Sequence, residues 1–236
     1  MTELDFSRFD ALTFDCYGTL IDWETGILTG LRAILGPREV TPGDDELLEA
    51  YAREEAALEA GPYQGYREIL TEAARGVTTG FGGAVEEAEL ERFGGSGGDW
   101  PAFADSVEAL RRLHDRYRLG VITNCDDDLF AASNRRLGGT FDWVVTAQQV
   151  GSYKPDPRNF ELALARIDVP RERIIHVAQS LFHDHVTARS FGLATAWIDR
   201  RRGKAGFGAT PPADATPDVV APDMRSFADL ALGGAG

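Results

Sequence analysis

Short apolar segments alternating with helical stretches constrain this chain more than any other feature. "ALTFD" (11–15), "LGVITN" (119–124), "WVVT" (143–146), "IIHVA" (174–178) and "ATAWI" (194–198) are brief and rich in β-branched or aromatic residues, as strands are. Helical patterns separate them. "DSVEALRRLHDRY" sets Val107, Leu110 and Leu113 at helical spacing, with Asp105 placed to cap the N-terminus. "DPRNFELALARI" and "DHVTARSFGL" read as further helices, the second with Gly192 where a C′ glycine belongs. This order predicts an α/β fold: a Rossmann-like parallel sheet with helices on both faces.

One stretch breaks the alternation. Residues 23–97 hold no convincing strand and read as helices near 27–35, 45–59, 63–75 and 84–93. They close on "GGSGGDWP", which reads as a flexible glycine-rich joint. The expected organisation is therefore a core domain of residues 1–22 and 98–236, with an all-helical cap domain of residues 23–97 inserted after the first strand. A chain of 236 residues is long enough for both. "GATPPADATP" reads as a Pro-rich loop.

Charge narrows the function classes. The formal net charge is −14, a field that repels nucleic acid and would also repel an anionic substrate at long range. An anion site here needs local cations, so the basic run "RRRGK" (200–204) reads either as a solvated loop or as a source of a site-facing cation. No apolar run approaches the ~20 residues of a membrane span, and no signal-peptide pattern opens the chain. The expected location is the cytoplasm. Cys16 and Cys125 form no disulfide framework, which agrees with a reducing compartment.

Ligands of open α/β sheets bind at the carboxyl ends of the strands. The polar residues there are Asp15, then Thr123 and Asn124, then Lys154 in "GSYKPDP", and Asp184 in "AQSLFHD". Singly they read as turn residues, a surface lysine and a helix cap. Together at corresponding strand ends they read as a site.

"DCYGTL", "TN", "YKPDP" and "HVAQSLFHD" occur in the order of the motifs of the haloacid dehalogenase (HAD) superfamily, which the chain resembles over nearly its whole length. Phosphatases of that superfamily carry an acid two residues after the nucleophile; here that residue is Tyr17. They carry a metal-binding Asp where this chain has Gln179. Losing both the acid and a metal ligand points away from phosphoryl transfer. The resemblance implies instead an (S)-2-haloacid dehalogenase-like hydrolase with no metal and no cofactor. Asp15 would displace a halide, which needs no proton, and water would cleave the resulting ester.

The resemblance also implies roles for the other residues. Lys154 would keep Asp15 ionised, and Asp184 would orient Lys154 and assist the water. Thr19, Thr123, Asn124 and Ser180 would hydrogen-bond Asp15 or the substrate carboxylate, and N–H groups from Cys16 to Gly18 would stabilise an oxyanion. Cys16, Tyr17 and Trp23 would line the substrate pocket. Arg53 is the nearest candidate for the family's substrate-gripping cap arginine. His183 and His185 in "HDH" read as packing or supporting residues rather than a metal pair. Leu181 and Phe160 replace an asparagine and a tyrosine of known dehalogenases.

"WPAF", "VGSYKP", "HDH" and "AWIDRRRGKAGFGAT" are similar to the (S)-azetidine-2-carboxylate hydrolases of the same superfamily, whose leaving group is an already protonated ring nitrogen. That substrate also needs no acid at Tyr17. A phosphatase with unusual metal ligation and a non-catalytic binding protein remain as further alternatives. The expected partner is a small carboxylate, with neither nucleic acid nor membrane; a homodimer stays open.

Overall fold

The first strand, β1 (Ala11–Phe14), is buried along its whole length, as a central strand covered on both faces must be. The computed structural model describes residues 4–139 and 141–233. Around β1 stand β2 (Arg118–Thr123), β3 (Trp143–Thr146), β4 (Ile174–Ala178), β5 (Ala194–Ile198) and β6 (Val219–Ala221), in the order β3-β2-β1-β4-β5-β6. All pairings are parallel. The order reverses at β1, so the crevice beyond its carboxyl end is the expected ligand site. β6 is the strand that periodicity missed: it is short and follows the Pro-rich loop.

Helices cover both faces of this α/β sheet. One apolar layer is anchored by Phe14, Leu119, Val121 and Phe227, the other by Ile122, Phe160 and Ala188. Gly192 does end a helix in the left-handed region, at φ +75°. Asp105 does not cap the helix that follows it. Its carboxylate accepts Arg200 at 2.9 Å and the N–H of Met224 at 2.7 Å, ties that compete successfully with a local cap.

After β1 come α1 (Trp23–Leu35), α2 (Asp44–Glu59), α3 (Tyr66–Gly80) and α4 (Glu87–Gly95), the helical cap. α3 buries Tyr66, Ile69, Leu70, Ala73, Ala74 and Val77, the stripe its helical spacing predicts. The glycine-rich "joint" is packed, with Gly97 and Gly98 buried. A Cβ at Gly98 would meet that of Ala132 at 2.9 Å, and Trp100 of the same stretch lies where a Cβ at Gly26 of α1 would run into it.

The basic run divides: Arg202 and Lys204 are exposed, as in a solvated loop, while Arg200 and Arg201 are neither solvated nor among the residues lining the Asp15 cavity. Arg200 donates to the Thr19 carbonyl at 2.9 Å and pairs with Asp105, while Arg201 bridges Glu24 of α1 at 2.8 Å and Asp45 of α2 at 2.9 Å. Both arginine side chains are only 10% exposed. The run therefore straps the core to the cap. On the other side Asp126, after β2, accepts the N–H groups of Tyr66 and Arg67 at 2.9 and 3.1 Å, so a core carboxylate caps a cap helix. Among the described residues no helix is long and apolar enough to cross a membrane.

Candidate active site

Asp15 leaves β1 with its N–H still bonded to Val177 of β4 at 3.1 Å. The chain then turns sharply. The Cys16 carbonyl accepts N–H groups from Thr19, Leu20 and Ile21, and Gly18 adopts φ +89°. A side chain at Gly18 would be strained by that φ and would press on Trp23 Nε1 at 2.8 Å. The turn brings Thr19 back onto the nucleophile candidate: its hydroxyl donates to Asp15 Oδ2 at 2.7 Å and accepts the Gln179 N–H at 2.9 Å.

Lys154 stands at the centre of the arrangement and is 1% exposed. Its Nζ donates to Asp15 Oδ1 at 2.9 Å, Asp184 Oδ1 at 2.7 Å and the Ile122 carbonyl at 2.8 Å. Asn124 holds the lysine backbone at both ends, accepting its N–H at 2.7 Å and donating to its carbonyl at 3.0 Å. His176 Nε2 lies 2.9 Å from Asp184 Oδ1, and its Nδ1 lies 2.9 Å from the Thr13 hydroxyl. Phe160 packs edge-on against His176, with ring centroids 4.9 Å apart, so the residue in the tyrosine's place supports this histidine.

Two buried carboxylates around one ammonium cannot be equivalent. Burial raises the Asp15 carboxyl above the usual carboxylate value, against the pull of Lys154. Asp184 is buried too, but Lys154 and the His176 hydrogen bond hold it well below that value. Burial also opposes the charge on Lys154, and the two carboxylates overcome it. Asp184 is thus the permanent counter-ion. Asp15 keeps the greater basicity of the two.

Asp15, Lys154, Asp184, Asn124, Tyr17, Trp23 and Ser180 meet around one cavity of about 20 Å³. That is room for one water-sized group, so the cap is closed and must move to admit a substrate. The Tyr17 hydroxyl is engaged with Ser133 at 3.0 Å, and its ring stands edge-on to Trp100. Ser180 faces the cavity without touching Asp15; its hydroxyl accepts the His183 N–H at 2.8 Å.

Three expected placements fail. Thr123 neither touches Asp15 nor borders the cavity, because its hydroxyl turns to Cys125 Sγ at 3.6 Å. The Cys16 side chain is fully buried beneath the turn and does not line the cavity, nor does Cys125. Arg53 is exposed on the outer side of α2. At 100° per residue it lies about 160° away from the helix face that meets the core at Glu55.

That inner face carries what the sequence reading missed. Glu55 and Glu59, one turn apart on α2, both line the cavity. Glu55 Oε1 accepts the hydroxyls of Tyr51 at 2.7 Å and Tyr66 at 2.8 Å. Asn124 Nδ2 sits 3.3 Å from both Glu59 oxygens. The available signal was the continuation of the buried stripe Leu48, Tyr51 and Ala52 into an acid. Burial raises Glu55 to about 7, against the pull of its two phenol hydrogen bonds.

A carboxyl raised on folding contributes stability that is complete below its unfolded pKa and fades as pH rises through the folded one. The relevant window here runs from about 4 to about 7. Glu55→Gln should therefore gain in Tm relative to the parent protein as pH rises from 4 to 8. Thermal unfolding at both pH values checks this, and a pH-independent difference would contradict it.

The site does not fit a catalytic magnesium ion. Lys154 already occupies the space between Asp15 and Asp184, and the neutral Gln179 accepts from the Thr210 hydroxyl at 3.2 Å. His183 and His185 do not act as a pair: His183 lines the cavity, while His185 Nε2 lies 3.0 Å from the Ala178 carbonyl.

A family model for haloacid dehalogenase-like hydrolases matches residues 9–190, taking in β1, the cap and the loops bearing Lys154 and Asp184. The chain belongs to that family. This haloacid dehalogenase-like hydrolase is 27% identical over 234 residues to an (S)-2-haloacid dehalogenase of Pseudomonas putida, covering 94% of this chain and 95% of that one. It is also 30% identical over 213 residues to a phosphoserine phosphatase of Thermus thermophilus, covering 86% and 75% of the two chains. Its fold matches the L-2-haloacid dehalogenase of Xanthobacter autotrophicus with chloropropionic acid covalently bound. The TM-score is 0.78 at 20% identity, over 96% of this chain and all of that one.

Proposed function

We propose that this hydrolase displaces a leaving group from C2 of a small 2-substituted carboxylic acid, without a metal, through an ester on Asp15. One observation carries the reading: Asp15 is braced by Lys154 at 2.9 Å, while Tyr17 and Gln179 stand where a phosphatase keeps its acid and metal ligand. The more basic carboxylate attacks C2 with inversion, and the leaving group departs with its bonding electrons. Water then attacks the Asp15 carbonyl carbon and releases a 2-hydroxy acid. The N–H groups of Cys16 and Tyr17, on the turn that follows Asp15, would serve as oxyanion donors.

Halide is the first reading of the leaving group. It supports itself as an anion, and several relatives sharing about 27% identity are named (S)-2-haloacid dehalogenases. The cap favours a second reading. Among the described cavity-lining residues Lys154 is the only lysine or arginine, and Glu55 and Glu59 are present. Such a wall suits a substrate with a cationic nitrogen, as in ring opening of (S)-azetidine-2-carboxylate. Attack at C2 would break the C2–N bond and leave a 2-hydroxy acid bearing a terminal amine.

Halide release from (S)-2-chloropropionate and fluoroacetate should be measured beside ring opening of (S)-azetidine-2-carboxylate. Activity should survive EDTA. In a single turnover in ¹⁸O water with excess enzyme, label should enter Asp15. Strict Mg²⁺ dependence, or an unlabelled Asp15, would exclude the ester route.

A further inference from the structure

We propose that Glu59, delivered by the cap helix α2, is the base that deprotonates the water that hydrolyses the Asp15 ester, with His183 and Asn124 fixing it in place. The proposal rests on the aspartyl-ester reading and holds for either leaving group.

Asp184 is poorly suited to that task. Its Oδ2 has no partner among the described residues, but Lys154 at 2.7 Å and His176 at 2.9 Å on Oδ1 hold the carboxyl well below the usual carboxylate value, which makes it a weak proton acceptor. Leu181, at the asparagine position of known dehalogenases, offers no polar group to hold a water.

Glu59 borders the same cavity as Asp15. It also lines a neighbouring cavity of about 360 Å³ bounded by Tyr63, Tyr153 and Phe182. It therefore stands on the wall between the ester and a chamber large enough to supply water. Asn124 Nδ2 lies 3.3 Å from each of its oxygens, and His183 Nε2 lies 3.6 Å from Oε2. That ring nitrogen is buried and has no hydrogen-bond partner among the described residues. Ser180 Oγ lies 3.1 Å from Nδ1, so a serine from the core fixes the ring that faces Glu59. Burial keeps His183 neutral, at about 4, and raises Glu59 against the pull of Lys154 and of the Asn124 hydrogen bond.

The step balances. Glu59 takes one proton as the water oxygen bonds to Asp15 Cγ. When the tetrahedral intermediate collapses, the ester C–O bond breaks and the departing alkoxide takes that proton back from Glu59. The second water proton leaves Asp15 to solvent, and Lys154 holds the regenerated carboxylate. Since Glu59 belongs to the cap while Asn124 and His183 belong to the core, the base is assembled only when the cap is closed.

Glu59→Gln separates the two half-reactions. Rapid-quench intact-mass analysis would use whichever of (S)-2-chloropropionate and (S)-azetidine-2-carboxylate the parent protein consumes. Ester formation in the variant should continue while hydrolysis slows by at least about 100-fold, so that the Asp15 adduct accumulates. Continued ester formation also shows that the variant folds and closes. Glu54→Gln, an exposed acid of the same helix that does not border the cavity, should accumulate none. If Glu59→Gln hydrolyses its ester at the parent rate, or loses turnover without accumulating adduct, the base role is overturned. Absence of ester and of ¹⁸O in Asp15 in every protein, or consumption of neither substrate, overturns the underlying ester reading and this role with it.

Discussion

Asp15→Asn should lower turnover by at least about 10⁴-fold while the protein remains folded. The amide cannot attack carbon as a carboxylate does, yet it has nearly the same shape. Its oxygen can still accept Lys154 or Thr19, which now sit at 2.9 and 2.7 Å. Because burial raises the Asp15 carboxyl, its negative charge weakens the fold as pH rises, so the neutral amide should be neutral or stabilising at pH 8. Steady-state rates and thermal unfolding of one preparation test both halves. Activity within about tenfold of the parent would mean that another group is the nucleophile.

Lys154→Met should be the most damaging single change to stability. The lysine is 1% exposed and faces Asp15 and Asp184, so its loss leaves two carboxylates buried without a counter-charge. Removing one side of a buried ionic set costs about 3–5 kcal/mol. For a chain of this size that is a fall in Tm of about 10 °C. The loss should depend on pH with a definite sign. In the parent, Asp184 has a depressed pKa, so its contribution is present above the unfolded value of about 4 and is lost only in strong acid. In the variant the abandoned carboxyls are raised instead, so the deficit should widen from pH 4 to pH 8. Urea unfolding at the two pH values measures it; a deficit that shrinks as pH rises would contradict the assignment of Lys154 as the shared counter-ion.

The sheet and the residues at its carboxyl ends were legible because period and topology do most of the placing. Once β1, β2 and β4 are parallel neighbours, Asp15, Asn124 and the Asp184 loop must converge, and Lys154 arrives on the loop after β3. The contacts of the cap were less legible. Helical spacing can show which stripe of a helix such as α2 is buried, but not which part of the core that stripe meets. A search for a cation therefore settled on Arg53, while the inward face carried Glu55 and Glu59. Glycine was ambiguous for a related reason. "GGSGG" reads equally as slack or as room for close packing, and only Trp100 over Gly26 and Ala132 beside Gly98 decide it. Arg200 and Arg201 were obscured because they find their acids far away in sequence, at Asp105, Glu24 and Asp45.

An alkylammonium has three hydrogens, and at Lys154 each already has an acceptor: Asp15, Asp184 and the Ile122 carbonyl. The lysine is therefore a fixed tetrahedral strut, fully coordinated before any ligand arrives. It cannot swing toward a departing atom or reach for a substrate carboxylate without abandoning a buried partner. Its positive charge fixes the angle and basicity of one Asp15 oxygen, and its field reaches Asp184, Glu59 and His183 as well. Discrimination among substrates then belongs to the other wall of the chamber, the one that opens and closes.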